Sequence, residues 1–411
     1  MNRTRLRWQR VGDAITGAGM VAVGTSLANV VAYVLTVVAA RLLDPEEFGA
    51  FGALLALIIA GSVAALAAQA TTARSVARRE PPAPAARSGL LLASMVGMGL
   101  VLLSPVLATF LRLPSVVPAI GAAVAVGAFT ATAPALGIVQ GAERFRALGI
   151  LVAIQATLRV TGGLVGMALR PTAAAALVGM SIGLALAGVV AWAVARPPLH
   201  RSRGETPDGT MRATLASGGM LLGFVVLTNV DVFLARHVLS AEASGLYVAG
   251  SVFTKIAFWL PQFVPLVAFP ALTDPRRRRG AFRLGLLAVV ACGLALVAIM
   301  ALLSGPAVSI VAGSRYEALT PWVVGFTTLG ALLAVAQLLV YAHLASGDRL
   351  TTAVVWVILG GYVTVVELTA SGIGGVLVPA LTAAGLVVIW GIVRERTTGT
   401  APLPDEGSIS R

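Results

Sequence analysis

The sequence predicts an all-α polytopic membrane protein of about twelve transmembrane helices in two six-helix lobes, and three observations carry that expectation. The 411 residues are 58% hydrophobic with a mean hydropathy of +0.92, and only 11% are charged, against about 25% in soluble domains. Apolar runs of roughly 20 residues recur along almost the whole chain, each long enough to cross about 30 Å of hydrocarbon as a helix. The runs are continuously apolar and rich in Ala, Gly, Leu and Val. They lack the alternation of a barrel strand, and the 45 Gly suit close helix packing in lipid.

In order, the spans are expected at 14–40, 48–71, 88–110, 115–140, 147–169, 172–195, 213–238, 244–272, 281–304, 318–345, 350–370 and 372–393. The basic N-terminus "MNRTRLRWQR" leads into an apolar run longer than a signal-peptide h-region and without a convincing cleavage motif, so it reads as an uncleaved first span. The loop cations test the topology, because short cytoplasmic loops collect Arg and Lys. With the N-terminus inside, the inner side receives Arg3, Arg5, Arg7, Arg10, Arg74, Arg78, Arg79, Arg87, Arg144, Arg146, Arg196, Arg201, Arg203, Arg212, the run Arg276 to Arg279, Arg283, Arg349, Arg394, Arg396 and Arg411. The outer side holds Arg41, Arg112, Arg170, Arg236 and Arg315, one per loop, a ratio of 23 to 5. Both termini are therefore expected in the cytoplasm.

The longest inner loop, "RPPLHRSRGETPDGTMR", is polar and bears Pro and Gly near the middle of the chain. It reads as the linker between an N-terminal lobe, residues 1–200, and a C-terminal lobe, residues 201–396. Residues 397–411 lack apolar periodicity and are expected to be a disordered cytoplasmic tail.

Composition also excludes whole classes. The net charge of +13 and the isoelectric point near 11.3 do not indicate nucleic acid, because the cations are interleaved with spans and lack an aromatic stacking platform. They fit topology and attraction to anionic membrane lipids. The single Cys292 excludes a disulfide framework and a thiolate metal site. His200, His237 and His343 are scattered without metal or acid–base spacing, and no nucleotide-binding Gly-rich loop with Lys is present. No cofactor and no metal are expected. The outer loops are only a few residues long, too short for the catalytic outer loop of a membrane glycan polymerase or ligase, so the chain is not expected to be an enzyme.

An internal repeat stands out. "ARLLDPEEFGAFGALLAL", Ala40 to Leu57, is nearly repeated as "ARHVLSAEASGLYVAGSV" from Ala235. Each is the outer turn between the first two helices of a half. Arg41 and Arg236 follow an Ala, Glu46 or Glu47 and Glu242 come next, and "GAF" matches "GLY" at the start of the second helix. Acidic residues in a first turn favour the positive helix N-terminus. Six helices per half give two copies of the same orientation, a parallel repeat.

The stretches "ANVVAYVLTVVAARLLDPEEFGAFGALLALI", "QATTARSVARR" and "LTNVDVFLARHVLSAEASGLYVAGSVFTKI" resemble the polysaccharide (oligosaccharidyl-lipid) flippases, Wzx-like members of the multidrug/oligosaccharidyl-lipid/polysaccharide exporter superfamily with a MATE-like fold. The likeness covers roughly residues 25–80 and 215–275 and is topological elsewhere. It implies two lobes around a central cavity that moves a polyprenyl-diphosphate-linked oligosaccharide from the inner to the outer leaflet of the bacterial cytoplasmic membrane. Its implied partners are that lipid-linked oligosaccharide, membrane lipids and, as candidates, a glycan polymerase or glycosyltransferases of the same pathway. Several relatives, the lipid II flippases among them, add two C-terminal helices with no counterpart here, which weakens a lipid II reading.

Ionisable residues near the bilayer centre are costly and normally face a cavity or a partner. Arg159 in the fifth span, Lys255, the only lysine, in the eighth, and Asp231 in the seventh stand out. Guanidinium and ammonium groups suit a diphosphate, so Arg159 and Lys255 are the expected clamp, with Asp231 tuning it. A structural Lys255–Asp231 pair is the alternative. Arg41 and Arg236 at the outer hairpins, and Arg74 and Arg78 at the inner end of the second span, join the transport set, the last two by attracting diphosphate at entry. Gln155, Asn29 and Gln337 are candidates for sugar hydroxyls or for a neighbouring backbone. Pro261, Pro265 and Pro270 are expected to kink the eighth span as a hinge. A drug/cation antiporter of the same superfamily, the nearest competing function, would want several buried carboxylates, whereas Asp231 is the only deep one.

Overall fold

The computed structural model describes residues 20, 24–196, 219–262, 278–346 and 349–398. All regular structure among them is helical. The helices are α1 Gly24–Leu42, α2 Pro45–Ala77, α3 Pro82–Phe110, α4 Val117–Gly141, α5 Phe145–Leu169, α6 Ala173–Ala195, α7 Gly219–Leu227, α8 Val230–Val238, α9 Ala241–Trp259, α10 Arg278–Val311, α11 Val323–Ser346, α12 Arg349–Thr369 and α13 Ile373–Thr398. Short 3-10 segments lie at Leu260–Gln262 and Ser314–Trp322. Ten helical stretches are long and apolar enough to cross a membrane. The expected seventh and eighth spans supply α7 with α8, and α9, giving the twelve-helix pattern.

The seventh span is not the continuous helix expected from its apolarity. It breaks at Thr228 and Asn229, where Asn229 has φ −138° and ψ −15°. In hydrocarbon a freed backbone group must find an internal partner. Here the carbonyl of Val225 accepts from both Thr228 Oγ1 (2.9 Å) and Asn229 Nδ2 (2.8 Å). The side chains that open the helix thus satisfy the group they free. The eighth span ends its α-helix at Trp259, two residues before Pro261, which lies in the following 3-10 segment, in keeping with the cost of proline inside a helix, although α3, α4 and α13 carry Pro105, Pro134 and Pro379 within them. Pro265 and Pro270 lie outside the described residues. Helix α10 kinks at Leu303 (φ −118°, ψ 21°), three residues before Pro306.

Among the described residues, packing forms two compact units: the chain through Ala249 with Ser309–Ala318, and Gly250–Val308 with the residues from Leu319 onward. In the first, α4 is the central helix, with 72% of its 18-residue apolar window buried against 22% for α3, and it packs on α2, α3 and α6. In the second half of the sequence the pattern recurs, with 72% for Ser314–Val340 and 11% for Arg283–Val311. The fourth helix of each half is a core element and the third faces the surroundings.

Helices α5 and α6 meet through two facing glycine pairs, Gly162 with Gly166 and Gly179 with Gly183. A Cβ on Gly162 would fall on the carbonyl of Gly179 and the converse holds; Gly166 meets Ala175 and Gly183 meets Leu158 in the same way. This small-xxx-small contact lets the backbones touch, where dispersion and Cα–H···O contacts hold helices together without a hydrophobic driving force. Gly162→Leu and Gly179→Leu are expected to lower stability by about 1–3 kcal/mol through overpacking, read as a lower melting temperature in detergent. Gly360→Leu on α12, where a Cβ meets open space, should leave it unchanged.

Candidate functional site

Arg159 lies midway along α5. It is partly buried, and its Nε is a buried donor with no hydrogen-bond partner among the described residues. Gln155, four residues earlier and so on the same helix face, is buried, and its Nε2 is in the same condition. Native folds pair almost all such groups, and leaving one unmade costs about 1–3 kcal/mol. Two orphaned donors one turn apart, at mid-helix in an apolar run, mark a place that folding alone does not explain. Helix α6 constrains that turn, since a Cβ at Gly183 would meet the Arg159 Cα at 3.1 Å. Helix α1 runs beside α5 in the same direction, Gly24 against Gly149 and Leu35 close to Gly163. Interpolating along the two helices at 1.5 Å per residue puts Asn29 at about the depth of Gln155.

Asp231 sits in the first turn of the short helix α8, directly after the break, where the N-terminal end of the helix favours a negative charge. It is buried and accepts a hydrogen bond from Tyr247 on α9 at 3.4 Å. The break and the tyrosine were not legible beforehand, although the consecutive Thr228 and Asn229 beside Asp231 were the available signal. Lys255 belongs to the other unit. It is partly buried on α9, next to Thr254, whose hydroxyl donates to Phe326 O on α11 at 2.9 Å. Gln337 on α11 is buried.

The arginines expected on the outer side are placed on backbone. Arg236 is buried, and its guanidinium donates to Leu111 O (3.0 Å), Arg112 O (3.2 Å), Glu46 O (3.2 Å) and Ser244 Oγ (3.1 Å), with the Glu46 carboxylate at 3.9 Å. Arg41 is exposed and donates to Ile310 O at 2.6 Å. Arg74 and Arg78 are exposed at the end of α2, Arg74 in its last turn and Arg78 at its C-cap. Neither lies on α5 beside Arg159 and Gln155. Glu47, expected to serve its own helix, accepts from Ala173 N at 2.6 Å and caps α6, together with Thr172, which accepts from Ala175 N. Among the described residues no cluster of three or more His, Cys, Asp or Glu could hold a metal.

Two stability outcomes separate these roles. Arg159→Met, which removes the orphaned donor while keeping side-chain length, should raise the melting temperature by the equivalent of about 1–3 kcal/mol. Arg236→Ala, which strips donors from buried carbonyls, should lower it by about 3–5 kcal/mol, as expected when one partner of a buried charged network is removed.

A sequence profile described as "Polysaccharide biosynthesis protein" matches residues 14–274. The fold is similar to an inward-facing multidrug resistance MATE family transporter of the MOP superfamily, with 14% identity over 90% of this chain and 96% of that one and a TM-score of 0.69. It is similar to the lipid II flippase MurJ in an inward closed conformation, with 12% identity over 90% and 87% of the two chains and a TM-score of 0.71. It is also similar to a MOP superfamily transporter from Pyrococcus furiosus, described as having a binding pocket of reverse polarity that suggests a different function, with 13% identity over 95% and 96% and a TM-score of 0.61. No curated protein matches the chain significantly.

Proposed function

Because the chain belongs to the polysaccharide biosynthesis protein family, we propose that it is a flippase that carries a polyprenyl-diphosphate-linked oligosaccharide from the inner to the outer leaflet of a bacterial cytoplasmic membrane by alternating access. That it is a multi-pass helical membrane protein with the MATE-like fold of MOP-superfamily transporters follows from its spans and its structural likeness. The substrate, the two-lobe division at residue 200, the cytoplasmic termini and the residue roles are our proposal.

The observation that carries it is the pair of orphaned donors Gln155 Nε2 and Arg159 Nε on one face of α5. A diphosphate offers charged acceptor oxygens, and a charge-assisted hydrogen bond in a site of low dielectric is about twice as strong as a neutral one. Arg159 holds the diphosphate in this reading, Lys255 provides the second cation, and Asp231 tunes the site from the broken seventh span. Arg74 and Arg78 attract the headgroup at the inner surface. Outward movement of negative charge from a negative interior is favoured by about 2.3 kcal/mol per charge per 100 mV. No step breaks or makes a covalent bond, so the protein acts as a carrier, not an enzyme, and glycan polymerases or glycosyltransferases are its natural pathway partners.

A cation-coupled exporter is the second reading, favoured by one observation: Asp231 is a buried carboxylate at a helix break, hydrogen-bonded by Tyr247. Reconstitution into liposomes with a fluorescent polyprenyl-diphosphate oligosaccharide separates the two. Wild type should exchange the lipid between leaflets, and Arg159→Ala and Lys255→Ala, still folded, should be roughly 10- to 100-fold slower, the loss of one hydrogen bond to a charged group. Movement of a cationic dye with no movement of the lipid would replace the flippase by the exporter.

A further inference from the structure

The two halves of the repeat use their hairpin arginines on each other. Arg236, in the second hairpin, donates to the carbonyls of Leu111 and Arg112, which end α3, the third helix of the first half. Arg41, in the first hairpin, donates to the carbonyl of Ile310 in the last turn of α10, the third helix of the second half. The return contacts are crossed in the same way. Arg112 donates to Leu239 O of the second hairpin at 3.4 Å, and Arg315 pairs with Asp44 of the first hairpin at 3.3 Å. A guanidinium at a helix C-terminus satisfies carbonyls that have no intrahelical donor and meets the negative end of the helix dipole. The crossing explains why the second hairpin and Ser309–Ala318 pack with the first half of the chain.

The two crossings differ in strength. Arg236 is 2% exposed, and its contacts include Glu46 and Ser244 as well as the two carbonyls. His237 lies flat on Phe110, centroids 3.8 Å apart, and its Nδ1 is 2.8 Å from the Phe110 carbonyl oxygen. Beside them α2 and α9 touch backbone to backbone, since a Cβ on Gly245 would fall on the Pro45 carbonyl and one on Gly49 would meet Ser244 Oγ at 2.5 Å. The first hairpin's crossing is exposed: Arg41, Asp44 and Arg315 all face solvent, where ion pairs contribute only about 0–1 kcal/mol. Its aromatic contact, Phe48 edge-on to Tyr316, buries a Tyr316 hydroxyl that has no partner among the described residues. That orphan penalises the closed arrangement, whereas the Arg236 crossing satisfies the guanidinium on several sides.

We propose that the outer ends of the helices form an asymmetric latch: the Arg236 knot is a fixed pivot, and the Arg41–Ile310 and Asp44–Arg315 contacts, with Phe48 against Tyr316, are the side that opens to the exterior. This rests on the alternating-access reading, and it assigns the repeated hairpin a gating role distinct from substrate binding. Such a side must be cheap to break, and exposed single contacts around an unsatisfied hydroxyl meet that requirement.

The test uses the full-length protein carrying Cys292→Ala and a reporter cysteine, Ala312→Cys, a near-isosteric change at a position 2% exposed in the 309–318 segment. A membrane-impermeant maleimide is applied from outside to right-side-out vesicles. Asp44→Arg and Arg315→Asp, singly, should each raise the labelling rate about five-fold, and the double swap should return it to the parent rate, which general destabilisation would not do. Arg41→Gln should also raise it, and Tyr316→Phe should lower it while raising the melting temperature. Labelling that is the same in all variants, or a double swap that labels as fast as the singles, overturns the latch. Arg236→Gln opening Ala312→Cys as readily as Arg41→Gln, with an unchanged melting temperature, overturns the assignment of pivot and gate. Labelling needs no transported lipid, so its outcome is independent of the liposome experiment. A working latch with no lipid movement removes the substrate reading alone, and lipid movement with an insensitive latch removes the latch alone.

Discussion

Every backbone N–H and C=O that enters hydrocarbon must be paired by the chain itself, and this constraint organises the protein. It makes the regular structure helical, and it makes each interruption a place where particular side chains must intervene. The break in the seventh span is supplied by Thr228 and Asn229 acting on the Val225 carbonyl. The start of α6 is supplied by Glu47 and Thr172, and the end of α3 by Arg236. Polar residues are few in this chain, and these are placed where the helical ladder runs out.

The same constraint explains how the helices associate. Lipid tails are as apolar as Leu, so helix pairing depends on close contact instead of on expulsion of water. The α5–α6 seam achieves this with four glycines, and it fixes the turn of α5 that carries Arg159. Gln155 and Arg159 share the face of α5 that carries Gly162 and Gly166. The stability lost to two unmade hydrogen bonds is the physical signature that separates this face from the rest of the helix.

Charge is used in three ways. Of the 30 cations, 23 fall in the segments that the sequence alone assigns to the inner side. Arg41, Arg236 and Arg112 end helices by donating to carbonyls. Arg159 and Lys255 are the two left inside spans, and that placement is what ties the proposed transport of a charged lipid to particular residues. The parallel repeat then acquires a physical content beyond similarity: equivalent arginines perform equivalent backbone contacts, each on the opposite half, with unequal burial.

The span count, the helical class and the hairpin repeat were legible in the sequence because hydrophobic length and turn chemistry are local properties. So were Arg159, Lys255 and Asp231, because a charge within an apolar run is visible without any fold. Three things were settled only by tertiary structure. The seventh span is broken at Asn229, since Thr228 and Asn229 can either ride on a continuous helix or cap its break, and apolarity does not choose. Glu47 serves α6 instead of its own helix, and Arg236 binds α3 at a separation of 125 residues, contacts that no local pattern encodes. Gln155 joins Arg159 as a buried donor without a partner among the described residues, which only the packed structure reveals. Sequence by itself determined where helices form and which charges are anomalous; packing in three dimensions decided which of those charges are satisfied, because a hydrogen-bond partner is a matter of distance and not of spacing along the chain.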